Sequence, residues 1–176
     1  MCPETHERGQ IRVYVCTGFP LQWQLHTVLM DSVSAVDTML FPRDGRWWML
    51  TNLDACGTGD LCSELHLFHA ASPLSREWTA HPMNPLIIDP RRARNAGLVR
   101  DGARLYRVSQ RQGFERYGES VAIHEIEQLD TRRYRERTIR HIEPGIVDGA
   151  TGTHHLHSTG RITVFDYRLR RRDKRH

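Results

Sequence analysis

The sequence predicts an all-β chain, on three observations. One hairpin pattern is written three times: "LFPRDGRWWMLTN" (residues 40–52), "LVRDGARLYRVSQ" (98–110) and, more faintly, "LHSTGRITVFDYR" (156–168). A second pattern of strand, short polar link and strand also recurs, in "IRVYVCTGFPLQWQLHTVL", "LHLFHAASPLSREWTAHPM" and "VAIHEIEQLDTRRYRERTI". Its second strands are centred on Trp23, Trp78 and Tyr134, a period of about 55 residues of the kind that marks propellers and solenoids. Finally, apolar and polar residues alternate along most of the chain, and no stretch holds a helical period.

Interleaving the two patterns gives four antiparallel strands per unit, which is the blade of a β-propeller. The chain opens on the outer half of a blade (11–29). One full blade follows (37–88), then a second (96–142), and the chain closes on an inner hairpin (153–168). The pairs Asp44-Gly45 and Asp101-Gly102 are expected to supply the positive φ of two-residue hairpin turns. Trp47 and Trp48 alternate faces and both read as packing residues. Two closures fit this order. The favoured one is a segment of a longer propeller lacking its first blades; the other joins the last hairpin to the first outer pair, making only three blades. A segment leaves open blade edges, so self-association through them is expected.

Hydrophobic residues are 39% and charged residues 26% of the 176, a balance that folds and stays soluble. No apolar run reaches the roughly 20 residues of a membrane helix. The start "MCPETHERGQ" has no apolar signal core, and residues 1–10 are expected to be disordered. Cys2, Cys16, Cys56 and Cys62 lack metal-ligand spacing; free thiols and a cytoplasmic location are expected, with a Cys56–Cys62 bridge as the alternative. Much of the +4 formal charge sits in the tail 169–176. That tail reads as solvated, and nucleic acid is not an expected partner because no RNA-binding aromatic motif or helix-turn-helix accompanies it.

A propeller binds ligands around its central channel, at the starts of its innermost strands. Those stretches read "SAVDTMLF", "RRARNAGLV" and "ATGTHHLH". The candidates are therefore Asp37, Arg94 with Asn95, and His154 or His155, a set suited to a sugar-like or phosphate-bearing ligand. His154 and His155 are expected on opposite faces of a strand, so at most one faces the channel. In "YGES", Glu119 is the candidate proton donor beside Asp37 in a paired-carboxylate site. His66 and His69 face apart on their strand. His155 and His157 share a face but have no further ligand, so no metal and no cofactor are expected.

Together "DTMLFPRDGRWWMLTN", "ELHLFHAASPLSREWTAHPMNPLIID", "RNAGLVRDGARLYRVSQ", "YGESVAIHEI" and "GTHHLH" resemble the glucosamine inositolphosphorylceramide transferase N-terminal family and its bacterial relatives. The resemblance runs over residues 11–167. That family is similar to the five-bladed propeller of glycoside hydrolase family 43. The resemblance implies a five-bladed propeller of which about the last three-fifths are here, and a carbohydrate or glycoconjugate ligand presented to a partner glycosyltransferase. The alternative is a sugar-active enzyme whose first blades lie outside this chain. In family 43 an Asp of the first blade is the base, an Asp of the second tunes it and a Glu of the third is the acid; with the first blade absent, no base carries over. Arg94 and Gln110 are the ligand residues the resemblance suggests. Here they stand in "ARNAG" and "SQRQ", where relatives often read "ARPAG" and "AQDC".

Proline cannot take positive φ. Asp44→Pro should therefore lower the stability of the chain by about 1 kcal/mol or more, read as a lower urea midpoint at unchanged slope.

Overall fold

The computed structural model describes residues 1–112 and 117–170. The described chain is all-β, with several sheets and none closed on itself. After a 3-10 turn at His6–Arg8, β1 (Gln10–Gly18) and β2 (Gln22–Asp31) form a two-stranded antiparallel sheet. The other edge of β1 is taken by the chain start: the Met1 amino group donates to the Tyr14 carbonyl, and the Tyr14 amide donates back to Met1, each at 2.8 Å.

A second sheet runs as a meander through β3 (Ala35–Arg43), β4 (Arg46–Leu53) and β5 (Glu64–Ala70). Its outer strand is broken into β6 (Thr79–Ala80) and β7 (Ile87–Ile88), both paired to β5. Between the pieces, Asn84 replaces main chain with side chain. Its Oδ1 accepts from the Leu67 amide and its Nδ2 donates to the Leu67 carbonyl, both at 2.8 Å, so the buried edge of β5 stays satisfied.

The third sheet is the meander β8 (Asn95–Asp101), β9 (Arg104–Arg111), β10 (Ser120–Leu129) and β11 (Tyr134–Ile142). A 3-10 turn at Pro144–Ile146 leads to an interrupted hairpin. In it β12 (Ala150–Gly152) pairs with β15 (Arg168–Leu169), and β13 (Leu156–Ser158) with β14 (Thr163–Phe165). This hairpin does not reach the β1–β2 pair. It joins the third sheet instead, β13 lying parallel to β8 through Ser158 and Val99. Gly97 permits the approach: its φ is +132°, and a Cβ there would collide with the Leu156 carbonyl.

The first repeated turn forms as expected, with Asp44 and Gly45 at φ +51° and +72°. The second is displaced by one residue. Asp101 is a strand residue paired with Arg104, and the loop is Gly102-Ala103 with Gly102 at φ +56°. A single glycine at the first central position suffices there. Trp23 and Trp78 share a local geometry, each indole donating to the carbonyl three residues earlier, Pro20 and Ser75. Tyr134 differs: it is buried, and its hydroxyl donates to Glu136 at 2.6 Å. Trp48 is buried, whereas Trp47 is half-exposed at a groove.

One core joins the second and third sheets. Phe41, Trp48, Leu50, Leu65 and Leu67 meet Leu98, Leu105, Ile126 and Leu129, each buried side chain contributing roughly 1.5–3 kcal/mol. The third sheet also buries charge. Arg107, fully buried on β9, grips Glu136 of β11 through Nε and Nη2, both at 2.7 Å, and Nη2 also donates to the Arg92 carbonyl. His124 of β10 lies between Ser109 (2.7 Å) and Thr138 (2.9 Å). Burial, reinforced by the Arg107 charge, pushes His124 from 6.5 down to about 4. Burial alone would raise Glu136, but the Arg107 charge and hydrogen bonds outweigh it and bring the carboxyl from 4.5 to about 2.

Both shifts work in the same direction. Below pH 6.5 the unfolded chain protonates His124 while the folded chain resists until about 4; below 4.5 the same holds for Glu136 until about 2. The contribution of these two groups is therefore complete above pH 6.5 and is lost as the pH falls toward 2. Urea midpoints measured against pH should show this slope, and His124→Gln should flatten it between pH 6.5 and 4 while leaving the more acidic limb.

Candidate functional site

Two β-bulges shape the start of the inner strands. The β3–β4 register slips between Val36 and Met39, and the β8–β9 register slips between Asn95 and Gly97. Such bulges re-aim side chains. Asp37 sits in the first slip at φ +52°, a left-handed conformation that aspartate tolerates better than most residues. Its carboxylate is turned toward the third sheet, where Oδ2 accepts from Arg94 Nε at 2.7 Å. Arg94 Nη1 donates to Cys62 Sγ at 3.2 Å, and the guanidinium lies 5.2 Å above the Tyr117 ring. Burial alone would lower the Arg94 pKa; the Asp37 charge, with smaller contributions from Cys62 and Tyr117, outweighs it, so the guanidinium stays charged. Burial pushes the Tyr117 phenol up, with Arg94 opposing.

Asn52, wholly buried on β4, holds this arrangement. Its Nδ2 donates to the carbonyls of Glu64 (2.9 Å) and Ala93 (3.0 Å), and its Oδ1 accepts from the Asn95 amide (2.8 Å). Asn95 in turn donates through Nδ2 to the Asp37 carbonyl at 3.1 Å. One carboxamide thus fixes the segment carrying Arg94 and Asn95 against the sheet carrying Asp37.

Tyr117 meets His154 edge to face at 5.5 Å. The histidines are not on opposite faces of a strand as expected; both lie in the break between β12 and β13. Asp166 organises that break. Its Oδ1 accepts from the amides of His154 and His155, both at 2.9 Å, and its Oδ2 contacts His154 Nδ1. Burial lowers the His155 pKa, with Asp166 and, more weakly, Asp37 opposing. A cavity of about 220 Å³ opens between Tyr117, Thr153, His154, Asp166 and Tyr167, small enough to suit one ring-sized group.

The remaining candidates make no side-chain hydrogen bond to the Asp37–Arg94 pair among the described residues. Gln110 is buried, its amide nitrogen donating to the carbonyl of the Arg94 residue and its side chain to Gln112, so it supports the site from behind. Glu119 lies 3.9 Å from Arg111, and among the described residues no hydrogen bond or ion pair joins it to Asp37. Residues 171–176 of the basic tail lie outside the described residues. Sequence reasoning missed Asn52, Cys62, Tyr117 and Asp166 as site residues. Of these, Asp166 alone left a signal: hairpin pairing places it opposite His155, and its amide donates to the His155 carbonyl at 3.2 Å.

With one oxygen of Asp37 and one nitrogen of Arg94 bonded to each other, Asp37 Oδ1 and Arg94 Nη2 make no hydrogen bond among the described residues. An acceptor and a donor thus stand side by side next to two aromatic rings. That combination suits a hydroxyl-rich ring with apolar C–H faces.

Residues 1–154 match the family described as Glucosamine inositolphosphorylceramide transferase 1, N-terminal, and the chain belongs to that family. It is 36% identical over 141 residues to glucosamine inositolphosphorylceramide transferase 1 of Arabidopsis thaliana, and 33% identical over 140 residues to the protein of that name from Oryza sativa subsp. japonica. Each match covers 77% of this chain and 18% of the relative, so the chain spans less than a fifth of these proteins. No solved structure matches it.

Replacing Asn52 by Ala strands two carbonyls and one amide in the interior. The loss should be about 3 kcal/mol or more, taking 1–3 kcal/mol for each buried unpaired group. Amide hydrogen exchange should show accelerated opening at Asn95, beyond what the change in global stability accounts for.

Proposed function

We propose that this member of the glucosamine inositolphosphorylceramide transferase N-terminal family is a segment of a five-bladed β-propeller of the glycoside hydrolase family 43 type, and that it recognises the sugar portion of a glycoconjugate for a partner glycosyl-transfer enzyme. The two antiparallel meanders, each opening on a bulged inner strand, support the propeller reading. The observation that carries the functional reading is the Asp37–Arg94 pair at 2.7 Å beside Tyr117 and His154. Its chemistry agrees with the relatives, whose name joins glucosamine, an amino sugar, with inositolphosphorylceramide in a transferase.

In this reading Asp37 Oδ1 accepts from sugar hydroxyls, and Arg94 Nη2 donates to a ring or carbonyl oxygen. The imidazole of His154, oriented by Asp166, donates or accepts at the edge of the ring. Tyr117 supplies the apolar face. Recognition is favoured over hydrolysis because the Glu119 carboxylate lies beside Arg111 and Asp37 is committed to Arg94. A paired-carboxylate hydrolase needs its two carboxyl groups across one glycosidic bond.

Binding of the full chain to a glycan panel tests this. A ligand found there should bind about tenfold more weakly to Asp37→Asn and to Arg94→Ala, each variant first shown to be folded by its urea transition. Unchanged affinity in both would remove this site from the recognition of that glycan.

A further inference from the structure

A second site lies at the far end of the same strands. Asp37 stands near the start of β3 and Arg43 at its end, about 20 Å apart at the rise of an extended strand. There the two repeated hairpin turns, at Asp44-Gly45 and Gly102-Ala103, border a groove of about 760 Å³. Arg43, Arg46 and Arg100 line it, with Trp47 and Leu105 as its apolar wall. The repeat explains the convergence: Arg43 and Arg46 flank the first turn, and Arg100 precedes the second.

The charge of the groove is poorly compensated. Three arginines line the groove against one lining carboxylate, Asp44, which is largely exposed and 3.5 Å from Arg43 Nε. Arg43 Nη1 is buried with no hydrogen-bond partner. Arg100 Nη2 reaches only the Pro42 carbonyl at 3.2 Å. The Arg46 side chain makes no hydrogen bond or ion pair among the described residues. An arginine cluster held only for stability would be expected to meet carboxylates, as Arg107 does on the third sheet with two bonds of 2.7 Å to Glu136.

We propose that this groove is a phosphate-ester site, separate from the sugar-recognition face. Planar guanidinium forks match the oxygens of a phosphoryl group and bind it through paired charge-assisted bonds. The groove exceeds what one small ion fills, and Trp47 offers a ring against which the organic part of the ester can pack. The ligand class is a phosphomonoester or pyrophosphate group, carried either by a soluble molecule or by a lipid headgroup.

Calorimetric titration of the full chain with pyrophosphate and with glycerol phosphate at low ionic strength tests the soluble source. Flotation with phosphatidylcholine vesicles, with and without phosphatidic acid, tests the lipid source. Saturable binding in either arm is expected, and the arm in which it occurs assigns the source. Arg46→Gln and Arg100→Gln, both at exposed positions, should each weaken it about tenfold. Asp44→Asn should tighten it: the opposing carboxylate is removed, and asparagine also accepts positive φ. No binding in any arm, or binding that neither arginine variant alters, would overturn the proposal.

Discussion

The carboxamide of Asn52 is the connection on which the described site depends. It is fully buried, and its donors and acceptor are used on three main-chain groups from two segments that are distant in sequence. Apolar packing of Phe41, Trp48 and Leu50 against Leu98 and Leu105 holds the sheets together, but such contact is non-directional and tolerates sliding. A buried amide does not tolerate it, because each displaced hydrogen bond leaves an unsatisfied polar group. Asn52 therefore converts two packed sheets into a fixed register, and Asp37 and Arg94 meet because of it.

Strain and charge are concentrated at the same place. Asp37 is one of three non-glycine residues at positive φ among those described, with Ser32 and Asp44, and lies within a strand rather than in a turn. Its conformation is maintained by bonds at both ends: its carbonyl accepts from Asn95, and its carboxylate accepts from Arg94. Backbone conformations of this kind persist where surrounding contacts over-determine them, and they cluster at functional positions.

The two ends of the sheets treat arginine differently. Arg107 is buried, bidentate and internally neutralised; it organises β9, β10 and β11 and makes their packing sensitive to acid. Arg94 is half-way, sharing its charge with Asp37 while keeping one nitrogen uncommitted. Arg43, Arg46 and Arg100 are left largely uncompensated around an open groove. Membership of the family bears on the chain as a whole, but these three environments follow from local geometry alone.

Much of the architecture was legible from the sequence. Alternation of apolar residues encodes strands directly, because side chains on a strand project to opposite faces with period two. Asp44-Gly45 encodes its turn because few residues accept positive φ at both central positions. The family was legible for a related reason, since the order and spacing of "RNAGLV", "YGES" and "GTHHLH" survive as a linear pattern. Position within the repeat also singled out Asp37 and Arg94. Their pairing with each other, the bulges that aim them, and the bridging by Asn52 were decided by tertiary structure. Register slips and side-chain bonds between residues 43 or 57 positions apart leave no periodic trace. The fate of the last hairpin was of the same kind. Its own sequence specifies a hairpin, but its place beside β8 depends on Gly97 leaving room for the Leu156 carbonyl, and steric room exists only once both segments are folded.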